Sequence, residues 1–340
     1  MPELDLPEDV RRLAEARQAA RDARDFAEAD RLKGLIEAAG WKVTDQRTSF
    51  RLARAYPADV VEPDGRVRYG WSGAVPSVIE AMPRTAASVV LVAPDDADRL
   101  EGFLASLAGT IPDDVQRVVV ANGLGPETET LLARLARHWT AEAAAGGDDS
   151  RAAAVTDVVW MVGRVGAAAG LNAGIRRASG NVVVLLGVDV DVVGDFVAPL
   201  VAAFEDPTVA VAGPWGYVSD DQRRFEPVSV ADVGSLDVAA VDLAAMAFRR
   251  SDYLARGPLD ERFAAPPLLD AWWSLLLRDP DETEMTPRRA VLIDVPLVRP
   301  EGDRDEAVPD SPADRIIRRN RYRIIDTFGG RRDLAVPRQT

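Results

Sequence analysis

Residues 166–196 read GAAAGLNAGIRRASGNVVVLLGVDVDVVGDF. An alanine-rich segment leads through a glycine turn into an unbroken apolar run, and the run ends at Asp189 and Asp191. The run Val182–Leu186 shows no alternation. A strand that is apolar at every position is buried on both faces, as in a parallel sheet. Parallel strands need crossover connections, so the reading of this stretch depends on its neighbours.

The neighbours repeat the pattern. Moving back along the chain, VTDVVWMV (155–162), VQRVVVANG (115–123) and ASVVLVA (87–93) are further buried strands. Between them lie ADRLEGFLASLAG (97–109), PETETLLARLARHWTAEAAA (126–145) and AAAGLNAGIRRAS (167–179), each read as a helix, with GGDDSRAAA (146–154) as a surface loop. The alternation β-α-β-α-β-α-β predicts an α/β fold with a doubly wound, mostly parallel sheet. Ligands in such sheets bind beyond the carboxyl ends of the strands. That rule singles out Pro94, Asp95 and Asp96, then Asn122 and Gly123, then Arg164, Val165 and Gly166, then Asp189, Val190 and Asp191. Further on, VAPLVAAFED (197–206) and LLDAWWSLLLRD (268–279) read as helices, and VAVAGPW (209–215) and AAMAFRR (244–250) as strands.

Both ends of the chain have a different character. Residues 8–41 read as two helices, the second capped by Asp25 with Glu28 at capping-box spacing and stopped at Gly40. WKVTDQRTSFRL (41–52) follows as a short strand or hairpin, and residues 55–84 as a Pro- and Gly-rich connector with one hairpin around EPDGRV. DSPADRIIRRNRYRIIDTFGGRRDL (310–334) reads as a basic helix. The expected domains are therefore 1–54, a helical hairpin plus short strand; 55–85, a connector; 86–300, the α/β domain; and 301–340, a tail with the basic helix.

Composition narrows the chemistry. The 340 residues carry a net charge of −14, which argues against a general nucleic-acid or membrane-surface binder. Cysteine is absent, which excludes disulfides, thiolate metal sites and a cysteine nucleophile. The single histidine, His138, excludes any site that needs two. The N-terminus lacks the pattern of a signal peptide, and no apolar run reaches the ~18 residues of a membrane span. The expected placement is cytoplasmic, with peripheral contact to a membrane through Arg318, Arg319, Arg321 and Arg323 as a further option.

Two resemblances add to this reading. The order of VVVANG, then GAAAGLNAGIRRASGNVVVLLGVDVDVVGDF, then AMAFRRSDYLARGPLDERF and LLDAWWSLLLRD, resembles a family 2 glycosyltransferase of GT-A type over about residues 86–280. RQAARDARDFAEADRLKGLIEAAGWKVTDQRTSF (17–50) resembles the C-terminal helical segment of cysteinyl-tRNA synthetases. Across residues 8–41 eight acids stand against seven bases, so a hairpin for packing or homo-oligomerisation is expected and RNA binding is not.

The first resemblance implies an inverting transfer of a sugar from a nucleotide-sugar donor to an acceptor hydroxyl. The acceptor, whether glycan, lipid-linked or small molecule, is left open. It implies a divalent cation, Mn²⁺ or Mg²⁺, at Asp189, with Asp191 as a displaced second ligand because Gly187 stands where the family has its first acid. Asp270 falls on the family's general base; read by itself, it is also a helix N-cap. Pro94, Asp95, Asp96, Asn122, Gly123 and Asn172 fall on nucleotide-side positions, and Ala121 replaces an acid that contacts the base. Trp215, Trp272 and Trp273 are candidates for a sugar-stacking wall, with at least one tryptophan of the tandem expected in the core. Because Ala121, Gly187, Leu269 and Trp272 stand where acids are expected, a catalytically degenerate binding or scaffold module is the alternative.

Overall fold

The computed structural model describes residues 7–45, 50–112, 114–145, 156–230, 237–280, 286–299 and 311–338. The loop expected at 146–154 lies outside these residues. The chain divides into two compact units, Met1–Val75 and Pro76–Thr340.

In the first unit, α1 (Glu8–Asp22) and α2 (Phe26–Ala38) form a helical hairpin. Strands β1 (Trp41–Asp45) and β2 (Phe50–Arg54) pair antiparallel. Val10, Ala14, Ile36, Trp41 and Val43 make a small core. The Asp25 carboxylate accepts the Glu28 N–H at 3.1 Å, as an N-cap does. The capping box is incomplete, because the Glu28 side chain pairs with Arg31 instead. Gly40 follows at φ 78° and stops the helix. Arg17 is buried and bonds Asp45 at 2.7 and 3.1 Å, tying α1 to β1. A second hairpin, β3 (Val60–Val61) with β4 (Val67–Tyr69), turns through EPDGRV.

The second unit begins with β5 (Thr85–Val92), α3 (Ala97–Ala108), β6 (Gln116–Ala121), α4 (Pro126–Ala145), β7 (Thr156–Met161), α5 (Ala167–Ile175) and β8 (Gly180–Leu186). It continues with β9 (Asp191–Val192), α6 (Val197–Ala202), β10 (Val209–Gly213), β11 (Trp215–Val218), β12 (Glu226–Ser229), β13 (Asp237–Val238), β14 (Ala240–Val241) and β15 (Ala245–Arg249). The last elements are α7 (Arg250–Arg256), α8 (Leu269–Arg278), β16 (Arg289–Leu292), β17 (Leu297–Val298) and α9 (Pro312–Phe328).

The strand order of the main sheet in this unit is β7-β6-β5-β8-β15-β10-β16-β13. Neighbours β7, β6, β5 and β8 are parallel, whereas β15 runs antiparallel to both β8 and β10. Strand order reverses between β5 and β8, and a crevice opens at such a switch point. The apolar runs explain the placement. Val89, Val90 and Leu91 of β5 and Val183, Val184 and Leu185 of β8 are fully buried. Each such side chain removed from water contributes about 1.5–3 kcal/mol.

Because β15 is antiparallel, the loop entering it lies at the same end as the carboxyl ends of β8, β10 and β16. The shared end is marked by the Gly187 N–H donating to Ala244 O at 2.8 Å and by the Asp242 N–H donating to Trp215 O at 2.8 Å. Two small antiparallel sheets frame this end: β12-β11-β14, and β17 with β9. The basic helix α9 packs on α8, burying Asn320, Ile324 and Phe328. Ser219 and Val336 exchange backbone bonds at 2.9 Å, which anchors the chain end to this unit.

Candidate active site

The expected metal pair comes first in the chain. Strand β8 stops at Leu186, and Asp189 stands in the turn that follows. Asp191 opens β9, whose partner β17 places Val298 opposite it. The strand is interrupted, yet the alternation resumes: Val190 and Val192 are buried while Asp189 and Asp191 are exposed. Both carboxylates line one hollow of about 280 Å³ with Arg99, Phe103 and Ser106. Arg99 Nε donates to Val188 O at 3.2 Å, from α3 to the end of β8. A Cβ at Gly187 would lie 2.4 Å from Asp189 Oδ1. An acid at 187 would therefore displace the Asp189 carboxylate, which gives the glycine a physical reason.

The nucleotide-side residues divide into two groups. Asp95 and Asp96 line a separate hollow of about 400 Å³ with Gly125 and Thr128. Asp96 caps α3 by accepting the Arg99 N–H at 3.0 Å, and Asp95 accepts the Gly125 N–H at 2.6 Å. Pro94 is half-buried just beyond β5. The second group is engaged within the protein. Asn122 clamps the next turn, donating to Val165 O at 3.1 Å and accepting Val165 N–H at 2.8 Å. Gly123 sits at φ 64°, and a Cβ there would meet the Arg164 nitrogen at 2.3 Å. Asn172 is buried and donates to Leu259 O and Glu261 Oε1, while accepting from Tyr253 Oη and Leu259 N. Both of its donors and both acceptor positions are filled, so Asn172 ties α5 to residues 259–261 and offers nothing to a ligand.

Asp270 is buried at the start of α8. It is not the N-cap. That position is Leu268, held at φ 69°, a left-handed conformation that is unusual for a non-glycine residue. Asp270 Oδ1 accepts the Ala271 N–H at 2.8 Å, and Oδ2 lies 3.1 Å from Tyr217 Oη. The same hydroxyl lies 3.0 Å from Asp242 Oδ2. Arg299 donates to both oxygens of Asp242, at 3.0 and 2.9 Å, and its guanidinium lies 5.0 Å from the centre of the Trp215 ring. Asp189 is near enough for its charge to help hold Arg299 protonated. A chain of contacts thus runs from the base candidate toward the exposed pair: Asp270, Tyr217, Asp242, Arg299.

Charge state follows from this arrangement. Burial, with the Asp242 charge beside it, pushes the Asp270 carboxyl up to about 7. Asp242 is buried too, yet Arg299 and the Ala244 N–H hold it below the usual carboxylate range. Burial and both carboxylates push the Tyr217 phenol far above its ordinary value. Tyr217, Asp242 and Arg299 join this site only in the folded chain, from distant points of the sequence.

Other candidates take structural roles. Trp273 is fully buried and Trp272 nearly so, packing edge-on or tilted against Phe248, Tyr253 and Phe263. The tandem therefore belongs to the core and makes no sugar-facing wall. Arg318 pairs with Asp314 at 2.8 Å, and Arg323 donates to Asn320 and lies over Phe263. His138 is exposed on α4. Among the described residues no helix is long and apolar enough to cross a membrane.

Residues 88–236 match the profile described as glycosyl transferase family 2. This segment is similar to family 2 glycosyltransferase domains. The match begins within β5 and spans β8 and the Asp189 turn. A solved structure of GalNAc-T7 with UDP, GalNAc and Mn²⁺ aligns at TM-score 0.53 and 15% identity, over 71% of this chain and 48% of that one. That likeness shows a shared GT-A fold. A mannosyltransferase from Pyrobaculum calidifontis, in complex with GDP-Man and Mn²⁺, aligns at TM-score 0.45 and 19% identity, over 66% of this chain and 57% of that one. A cysteine–tRNA ligase of Opitutus terrae is 44% identical over 54 residues, 16% of this chain and 12% of the ligase. The chain thus spans about half the length of the solved structures and a small part of the ligase.

Proposed function

We propose that the glycosyltransferase domain is an active, inverting enzyme that moves a sugar from a nucleotide-sugar donor to an acceptor hydroxyl, with Asp270 as general base. The observation that supports this most is the buried Asp270 carboxyl at the ligand-facing end of the sheet, raised to about 7. A base works best when its pKa lies near the working pH, and its help contributes ~10²–10⁴-fold. Two carboxylates with divergent environments at one end of a fold are the pattern expected of such a site.

A single displacement fits one base. As the acceptor oxygen forms its bond to the anomeric carbon, the bond to the diphosphate breaks and the electron pair leaves with the phosphate. Asp270 takes the acceptor proton. Attack from the face opposite the leaving group inverts the anomeric centre.

The residues present fit a divalent cation. Among the described residues no cluster of three acids or histidines is found. Mg²⁺ and Mn²⁺ in phosphate sites need only one or two carboxylates besides the phosphates, and Asp189 and Asp191 expose two hard oxygen donors on one hollow. A cation held there supplies charge neutralisation of the leaving diphosphate. Asp95 and Asp96 would face the nucleotide from the neighbouring hollow. Trp215, half-buried beneath Arg299, is the aromatic surface left for a sugar.

Calorimetric titration with UDP, GDP, CDP and dTDP, each with and without Mn²⁺, tests the site. One or more should bind more tightly with metal, and Asp189→Asn should remove the metal effect. Failure of every nucleotide to bind would favour the degenerate scaffold, the reading suggested by the missing acids at Ala121, Gly187 and Leu269.

A further inference from the structure

The hydroxyl of Tyr217 stands between two carboxyl oxygens, 3.0 Å from Asp242 and 3.1 Å from Asp270. A phenol has one hydrogen and can donate to one of them. The other contact needs a hydrogen from the carboxyl itself. Two ionised carboxylates cannot both be satisfied by this oxygen, so one of the pair carries a proton.

The surroundings decide which. Asp242 accepts two bonds from Arg299 and one from the Ala244 N–H, and these favour the anion. Among the described residues, Asp270 pairs with no cation. It accepts the N–H groups of Ala271 and Leu243 and lies against the phenol oxygen, with the Asp242 charge beside it. Of the charges around Asp270, that of Asp242 weighs most. Strands β10 and β14 carry no titratable side chain. Arg289 of β16 is engaged with Asp206 and Asp237, and Asp252 of α7 with Arg288. Tyr253 of α7 is bonded to Asn172, and Arg323 of α9 to Asn320.

We propose that Tyr217 and Asp242 are positioning residues for the base, holding a directed chain in which the Asp270 O–H donates to Tyr217 and the Tyr217 O–H donates to the Asp242 carboxylate. This inference rests on the reading of Asp270 as the base. The resting domain then stores a proton on Asp270. When that proton leaves to solvent, the Tyr217 O–H turns to Asp270 and supports the carboxylate that accepts the acceptor's proton. Arg299 keeps Asp242 ionised in both arrangements. The shifts of the two carboxyls, Asp270 up and Asp242 down, agree with the hydrogen count. Asp242 therefore opposes ionisation of the base, and Tyr217 supports it.

Carboxyl ¹³C NMR of aspartate-labelled protein tests the chain without any substrate. The signal lost in Asp270→Asn should titrate near neutral pH in the wild type. Its midpoint should rise in Tyr217→Phe and fall by about one unit or more in Asp242→Asn, because a like charge is removed. An Asp270 already ionised at pH 5 overturns the proposal, and this wild-type result needs no variant to fold other than the one used for assignment. Equal midpoints in wild type and both variants also overturn it. With a donor and acceptor in hand, the acid limb of kcat/KM should move with these midpoints. If the midpoints move as stated but Asp270→Asn retains sugar transfer, the hydrogen-bonded chain stands and the base assignment fails.

Discussion

Asp189 and Asp191 lie exposed on either side of the buried Val190, whereas Asp242 and Asp270 are buried and share the hydroxyl of Tyr217. The two pairs stand at the same end of one sheet and are built from the same residue type. The first pair is open to solvent, and so to a cation and its phosphates. Burial separates the members of the second pair: Arg299 claims Asp242 as an anion, and Asp270 is left to hold a proton. In the proposed function, environment assigns the chemistry, with hard anionic ligands in one place and a tuned base in the other.

Substitutions should separate the pairs. The largest effect is expected from Asp270→Asn, which keeps the shape of the carboxyl. Sugar transfer should fall ~10²–10⁴-fold, the usual contribution of a general base, with nucleoside diphosphate binding unchanged. Steady-state rates and calorimetry on the same preparation check both halves. Next comes Arg299→Leu. It leaves Asp242 buried without its cation and should lower stability by about 3 kcal/mol, read from the urea midpoint. An unchanged midpoint would mean that Asp242 is not held as an anion.

A third effect is the pH dependence of stability. Asp270 has a folded pKa raised above that of the unfolded chain, so the native state binds the extra proton. Its contribution is fully present below the unfolded value of ~3.9 and is lost as pH rises to about 7. Urea unfolding should therefore show a decline in stability across this window, and Asp270→Asn should flatten it. Asp242 acts in the opposite sense, losing its contribution as pH falls through its depressed value. The smallest effect belongs to Asp189→Asn. At an exposed turn it should change stability by no more than ~0.5 kcal/mol, while weakening binding of a nucleoside diphosphate with Mn²⁺. A large loss of stability there would erase the contrast between the pairs.

The exposed pair could be found in the sequence because its signal is local. A doubly buried strand runs into VDVD within a few residues, and the helices and strands before it announce the sheet by unbroken apolar runs. The buried set has no such signal. Tyr217 lies 25 residues from Asp242 and 53 from Asp270, and Arg299 lies 57 from Asp242. They meet because β15 runs against its neighbours and two-residue strands steer the loops, features too short to show periodicity. One clue was available: Asp242 interrupts the apolar run VAAVDLAAMAF (238–248), and an acid in such a run must find a partner. Asp270 was located correctly at the start of a helix, but the residue before α8 is Leu268, and a left-handed leucine is not a pattern that propensity predicts. Asn172 matches the family's helix asparagine by resemblance, while its hydrogen bonds close on the protein itself.

In the proposed function, the exposed and buried pairs serve one reaction centre. A crystal structure with a bound nucleoside diphosphate and Mn²⁺, read by anomalous scattering from the metal, tests it most directly. The metal peak should lie within bonding distance of Asp189 and the diphosphate, with the space beyond the leaving oxygen opening toward Asp270. A diphosphate and metal bound away from the 188–192 hollow, or an Asp270 walled off from the leaving oxygen by Trp272 and Tyr217, would contradict it.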